Sequence, residues 1–396
     1  MASYKYSVYN SAKFKGRRGN SGGGGKRRGD YIDPSRFVAI AKPSVAPDYE
    51  VQHKFEDFQV DARIHQNLIA KGFVTPSPIQ DQTIPLGLQG NDIIGIANTG
   101  TGKTAAFAIP VIHGLMSRQN AKALIVAPTR ELAQQIDEEC RSIGKGGGFT
   151  GALLIGGTGM GKQLQELRRN PRIVIGTPGR IKDHIERGTL KLDSFNQVVL
   201  DEVDRMLDMG FLPDVSYILN KLNPQRQSFF FSATMDTRVQ NLIGNYSNDP
   251  QTVSVKSGMS SDHVNQDIVR YAGPTDKMEK LHDLLLKDEV VKVIVFDETQ
   301  RNVERLSNEL LSRGFKVDAI HGGKTQGQRQ RALDDFKRSR TTVLVATDVA
   351  ARGIDVSDIT HVINFSQPQT YQDYTHRIGR AGRAGRVGHA LTFVAG

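Results

Sequence analysis

One cysteine in 396 residues, no long apolar run and a shortage of acidic groups set the first limits on this chain. Cys140 alone can form no internal disulfide and no thiolate metal site, so a reducing compartment fits. No apolar stretch approaches the roughly 18–20 residues that span a bilayer, and no membrane association is expected. No signal-peptide core follows Met1, so the expectation is a cytoplasmic protein rather than a secreted one. A short-period repeat of the solenoid type is also missing. What is present, 38% hydrophobic and 24% charged residues, describes a soluble globular protein, and the length suits two domains.

Acidic residues are scarcest at the start of the chain. Residues 1–36 hold Lys5, Lys13, Lys15, Arg17, Arg18, Lys26, Arg27, Arg28 and Arg36 against Asp30 and Asp33. That is +7 of the total +10, so a basic tail precedes a nearly balanced body and suggests a polyanionic partner, nucleic acid first. This Gly- and Ser-rich stretch, with Tyr4, Tyr6, Tyr9 and Tyr31 near its charges, buries too little apolar surface to offset its ordering entropy, and a disordered tail is expected. Either it holds RNA loosely through phosphates and stacking, or it is a solvated segment that aids solubility. Gly22 to Gly25 oppose the amphipathic helix of a transit peptide, and GKRR at residues 25–28 is a weak match to a nuclear import signal.

From Phe55 onward short apolar runs alternate with helical patterns. DIIGIA (92–97), ALIVAP (123–128), GALLI (151–155), RIVIGT (172–177), QVVLDE (197–202) and SFFFSA (228–233) are apolar on both faces, as strands covered by helices must be. Polar stretches at 245–250 and 257–263 break the rhythm and read as a linker. The alternation restarts with strands at 292–298, 316–321, 342–348, 361–366 and 389–394. The fold class is α/β, with two tandem domains whose mostly parallel sheets are flanked by helices. The first spans residues 37–256, the linker 257–263 and the second 264–396.

Two strings far apart in the chain carry the chemistry. ANTGTGKT (97–104) follows a strand and opens a helix, so its glycines turn backbone N–H groups onto phosphates and the helix end adds positive potential. Within it Thr99, Gly100, Thr101 and Gly102 shape the loop, Lys103 reaches the β- and γ-phosphates, and the Thr104 hydroxyl suits Mg²⁺. Asp201 and Glu202 stand at the carboxyl end of a strand in the same sheet, where open α/β sheets bind ligands. Asp201 suits the cation and Glu202 the attacking water. The second string, HRIGRAGR (376–383), sets arginines among small residues. It suits either neutralising a phosphate held elsewhere or binding an RNA backbone.

In family order, the chain also carries GFVTPSPIQ (72–80), PTRELA (128–133), Gly156-Gly157, TPGR (177–180), SAT (232–234) and ATDVAARGID (346–355). With DEVD at 201–204, these strings resemble the DEAD-box RNA helicases of superfamily 2 over nearly all of residues 55–396. The resemblance implies two RecA-like lobes, ATP with Mg²⁺, and RNA as partner. It implies that Gln80 pairs with adenine, that Phe55 stacks on it and that Asp355 contacts the ribose. An amide can indeed meet both adenine N6 and N7, whereas without the resemblance Gln80 is a turn residue after two prolines.

The resemblance further implies arginine fingers at Arg380 and Arg383, with His376 fixing their frame, and a relay through Ser232 and Thr234. Its RNA contacts fall on Thr129, Arg130, Gly157, Thr177 and Arg180 in the first lobe and Thr299, Gln326, Arg329 and Thr347 in the second. Each threonine is also a possible helix cap, Thr177 before Pro178 in particular. Three departures stand out: Val203 for the usual Ala, Ala381 for a common Thr, and a chain that stops where the family continues with a helix. The expected activity is a monomeric ATP-dependent RNA helicase that opens short duplexes locally. The alternatives are an RNA clamp with slow ATPase and a DNA-acting helicase.

Overall fold

The structure is a computed structural model that describes residues 32–41, 49–98, 100–255, 263–351, 354, 356, 358–382 and 386–396. In the first lobe the strands are β1 (Ile93–Ile96), β2 (Ala123–Val126), β3 (Gly151–Leu154), β4 (Ile173–Gly176), β5 (Gln197–Leu200), β6 (Gln227–Ser232) and β7 (Gln251–Ser254). They form one sheet in the order β3-β4-β2-β5-β6-β1-β7. The second lobe holds β8 (Val264–Tyr271), β9 (Val293–Phe296), β10 (Val317–Ile320), β11 (Val343–Ala346), β12 (His361–Asn364) and β13 (Gly388–Ala395), in the order β10-β11-β9-β12-β13-β8. Every pairing between these strands is parallel.

Helices cover both faces of each sheet, so β2, β4, β5, β9, β11 and β12 are buried at every position. That is why their sequences are unbroken apolar runs rather than alternating ones. Each lobe has one apolar cluster per sheet face. Val203 sits fully buried in one of them, beside Met206 and Leu207, so its two extra methyl groups are absorbed by packing away from the carboxylates. No helix among the described residues is long and apolar enough to cross a membrane.

Three features differ from the sequence expectation. Between the polar stretches 245–250 and 257–263 lies β7, an edge strand with only Val253 buried, which is why it carries no apolar signature. β8, also at a sheet edge and only partly buried, is likewise absent from the expected strands. Residues 32–41, expected to divide at 36/37 between the tail and the first domain, instead pack on the second lobe. Ile32 and Phe37 sit in that lobe's core, and Ala39 bridges antiparallel to Gln266 of β8. Burying Phe37 in full is worth about 1.5–3 kcal/mol, which offsets part of the cost of ordering a segment that composition alone reads as coil. Residues 1–31 and the linker's 257–262 lie outside the described residues.

His361 and His389 stack at 4.8 Å on the paired starts of β12 and β13. Burial, with the neighbouring His389, pulls His361 down to about 4, and burial lowers His389 as well. Both are therefore neutral when folded and protonate more readily when unfolded, so the second lobe should lose stability as pH falls from about 6.5 towards 4. Melting temperature against pH checks this; His389→Gln should flatten the slope in that window.

Candidate functional site

The phosphate loop leaves β1 through Ala97, whose N–H donates to Ser232 O at 3.1 Å. Ala97 is 2% exposed, so a methyl group occupies the loop's first position without crowding the turn. Gly100 and Gly102 have φ of 86° and 92°, a backbone only glycine adopts without strain, and the helix Lys103–Ser117 follows at once. Thr101 Oγ1 donates to Asn98 O at 2.8 Å, and Ser77 Oγ donates to Thr101 O at 2.7 Å. Thr104 is half-buried in the first turn of that helix, and Thr99 lies outside the described residues.

Gln80 reaches the same loop. Its Nε2 donates to Gly102 O at 3.0 Å and its Oε1 accepts from Ser77 N at 2.8 Å. A residue placed to meet a base is thus also a strut under the phosphate loop. Phe55 is buried, edge-on to Phe58 and Phe73 at 5.9 and 5.2 Å. Beside Gln80, the buried Asp81 accepts from Tyr49 Oη at 2.6 Å and from the amides of Gln52 and His53. Burial pushes its carboxyl up, but these hydrogen bonds outweigh it and hold Asp81 below the usual range.

Lys103 is 6% exposed and its ammonium has no hydrogen-bond partner among the described residues. A buried ammonium with nothing to bind is costly, and a phosphate is the group that would satisfy it. Asp201 is buried beside it at the end of β5, and burial pushes its carboxyl up to about 6 while Lys103 pulls it down. Glu202 has φ 55°, a left-handed conformation costing about 1–3 kcal/mol for a non-glycine residue. Such strain collects at functional sites. Arg205 Nη1 meets Glu202 Oε2 at 2.7 Å, both side chains being buried.

Asp204 ties this turn to the SAT segment. Its Oδ2 accepts from Ala233 N, Thr234 N and Thr234 Oγ1 at 3.1, 2.9 and 3.0 Å. Its own N–H donates to Ser232 Oγ at 3.3 Å, and Ser232 Oγ donates to Thr234 O at 2.7 Å. Ser232 and Thr234 are therefore joined to the DEVD turn through Asp204, one residue beyond the pair the chemistry needs.

In the second lobe the helix Tyr371–Ile378 carries His376 and leads to Arg380. Arg377 makes a two-pronged pair with Asp348, with Nη2 at 2.7 Å from Oδ2. Arg380 is 3% exposed and donates from Nη1 to Ile354 O at 2.9 Å. His376 lines a small cavity with Asp348, Asp373, Arg377 and Arg380. Arg383 and Asp355 lie outside the described residues. The lobes meet where Gln372 Nε2 donates to Asp208 Oδ2 at 3.0 Å, which sets the helix Tyr371–Ile378 against the helix Val203–Asp208.

The residues expected on the RNA face also converge across the lobes. Arg130 lies against Gly156 and Gly157, where a side chain in place of either glycine would crowd its guanidinium. Gln326 Nε2 donates to Gln134 Oε1 at 3.0 Å, and Arg329 Nη2 pairs with Glu131 Oε1 at 2.7 Å, both charges being buried. Among the described residues neither Glu131 oxygen nor Arg329 Nε has a well-aligned hydrogen bond, so this is charge pairing with two acceptors and a donor left over. Burial, then Arg329, holds the Arg130 guanidinium below its usual range.

Thr129 and Thr299 cap helices, accepting from Leu132 N and Asn302 N at 3.2 Å each. Thr177 stands at a cap position without making the side-chain bond, so the cap reading does not use its hydroxyl. Thr347 is buried at the end of β11, and Arg180 Nη1 donates to Thr158 O at 3.5 Å.

Residues 77–242 match the family described as DEAD/DEAH box helicase, and residues 276–385 match the helicase conserved C-terminal domain. The chain is 45% identical over 343 residues to the ATP-dependent RNA helicase CshA of Listeria monocytogenes, covering 86% of this chain and 66% of that one. A variant of S. cerevisiae Dbp5 bound to RNA and ADP BeF3 superposes with TM-score 0.76 at 30% identity, over 86% of this chain and 89% of that one. The chain belongs to the DEAD-box helicase family. A DEAD-box protein of Methanococcus jannaschii is 39% identical over 86% of this chain and 93% of its own, yet superposes at only 0.52. As a whole the chain superposes better on the RNA-bound S. cerevisiae structure than on this one.

Sequence reasoning missed Asp81, Glu131, Gln134, Asp204 and Arg205. Asp204 and Glu131 lie inside strings already singled out. Their partners, on other elements or the other lobe, are what the sequence does not print.

Proposed function

We propose that this DEAD-box protein is an ATP-dependent RNA helicase whose lobes close on ATP and single-stranded RNA together. The observation that carries the reading is the docking of the finger helix on the DEVD helix through Gln372 and Asp208 at 3.0 Å. It supports a reading in which the helix leading to Arg380 faces the lobe that carries the phosphate loop. Between the lobes Lys103 would meet the β- and γ-phosphates, and Glu202, oriented by Arg205 at 2.7 Å, would position and deprotonate the attacking water. Thr104 and Asp201 would hold Mg²⁺, which supplies charge neutralisation on the phosphate oxygens. The fit rests on a buried ammonium with no hydrogen-bond partner among the described residues, next to an Asp201 carboxylate that burial alone disfavours.

RNA would lie along Thr129, Arg130, Gly157, Thr177 and Arg180 and then Thr299, Gln326, Arg329 and Thr347. Backbone amides, small hydroxyls and guanidinium groups there suit phosphates and 2′-hydroxyls, hence shape rather than base sequence. ATP and RNA each favour the closed arrangement, so their affinities are coupled. A monomer in a reducing, cytoplasmic setting belongs to the proposal and is supported by the lone, buried Cys140.

Multiple-turnover opening of a short RNA duplex, dependent on ATP, tests the reading. Binding without turnover of duplex would assign the protein to the RNA-clamp class. Residues 1–31 carry the same net +7 as residues 1–36, because Arg36 and Asp33 cancel. Deleting them should flatten the salt dependence of RNA binding while sparing the ATPase maximum, as expected when phosphate contacts release counterions. An unchanged slope would leave the tail as a solubility device.

A further inference from the structure

Residues 32–41 lie on the second lobe, and the chain then crosses to the first. Asp33 caps a short turn by accepting from Ser35 N at 2.9 Å, with Pro34 opening it. That turn delivers Phe37, fully buried, onto Tyr374 of the finger helix with ring centroids 4.7 Å apart. Arg36 stacks over Tyr371 of the same helix at 3.8 Å. Ala39 exchanges two backbone hydrogen bonds with Gln266 of β8, at 3.0 and 2.7 Å, and Gln266 Oε1 accepts from Tyr374 Oη at 2.9 Å. Ala41 N adds a bond to Asn265 Oδ1 at 2.9 Å.

Tyr371 and Tyr374 stand on the helix that leads to Arg380.

We propose that residues 32–41 form a strap that positions the arginine-finger helix, with Phe37 and Arg36 as positioning residues. Phe37 lies in the same buried cluster as Tyr374 and Ala39 pairs with β8, so the strap and the edge of the sheet hold the helix together. Positioning matters because a misplacement of about 1 Å can cost on the order of 10²-fold in rate.

This inference rests on the proposed ATPase reading for its kinetic test, and a second readout separates the two. In the full chain, Phe37→Ala should lower RNA-stimulated kcat about tenfold, within that range, and leave KM for ATP nearly unchanged, because the strap does not touch the adenine pocket. Phe37→Leu, which keeps most of the apolar volume, should restore most of kcat. Arg36→Ala removes an exposed contact that cannot unfold the lobe and should lower kcat in the same direction by a smaller factor. It decides the matter if Phe37→Ala melts.

Amide hydrogen exchange across Tyr371–Ile378 should quicken in both variants. Wild-type kcat and wild-type exchange in Arg36→Ala and Phe37→Ala would overturn the strap. Quickened exchange in a protein without any RNA-stimulated turnover would keep the strap and overturn the ATPase reading instead.

Discussion

Glu202→Gln is expected to keep ATP binding and lose turnover by at least about 10²-fold, the lower end of what a general base contributes. Glutamine preserves shape and can still accept from Arg205, which the structure sets 2.7 Å from Glu202. The variant cannot take a proton from water. Removing a buried ion-pair partner outright would strand the other charge at a cost of about 3–5 kcal/mol; the amide avoids most of that loss. Its backbone must also hold the left-handed turn at φ 55°, as Glu202 does. Nucleotide affinity, melting temperature and single-turnover hydrolysis separate these effects. Normal hydrolysis in the variant would remove Glu202 from the chemistry.

Arg380→Ala is expected to cut RNA-stimulated ATPase by about 10²-fold or more, given the roughly 10³ to 10⁵ a finger contributes in phosphoryl transfer. The guanidinium is buried and one nitrogen is already committed to Ile354 O at 2.9 Å. That bond aims the fork, and lysine would not reproduce it. Hydrolysis and RNA affinity should therefore part company in Arg380→Ala and Arg380→Lys, the first falling and the second holding. A loss of RNA affinity with normal turnover would assign the arginine to backbone binding.

Much of this was legible because parallel strands under helices announce themselves. The runs at 123–128, 197–202 and 342–348 are buried on both faces, and each became a strand. The loop glycines were legible because only their backbone fits, with φ of 86° and 92° at Gly100 and Gly102. Weakly apolar pieces were harder. β7 is an edge with one buried side chain, and the strap around Phe37 hides behind a tail whose composition is that of coil.

Pairings across the cleft were not legible at all. Glu131 was inside PTRELA, read there for its threonine and arginine, while its ion-pair partner Arg329 stands on the other lobe. Gln80 shows the same limit: its sequence position points to adenine, and only the fold reveals that its amide also holds Gly102 O. Asp204 completes the DEVD string, yet its three bonds to residues 233 and 234 depend on β5 and β6 lying side by side.

The central claim is that RNA is what lets the finger helix act on nucleotide held by the first lobe. ATP hydrolysis by the full chain, measured without nucleic acid, with single-stranded RNA and with single-stranded DNA of the same length, tests it most directly. The account predicts slow hydrolysis alone, strong stimulation by RNA and little by DNA. Equal rates in all three conditions would contradict it.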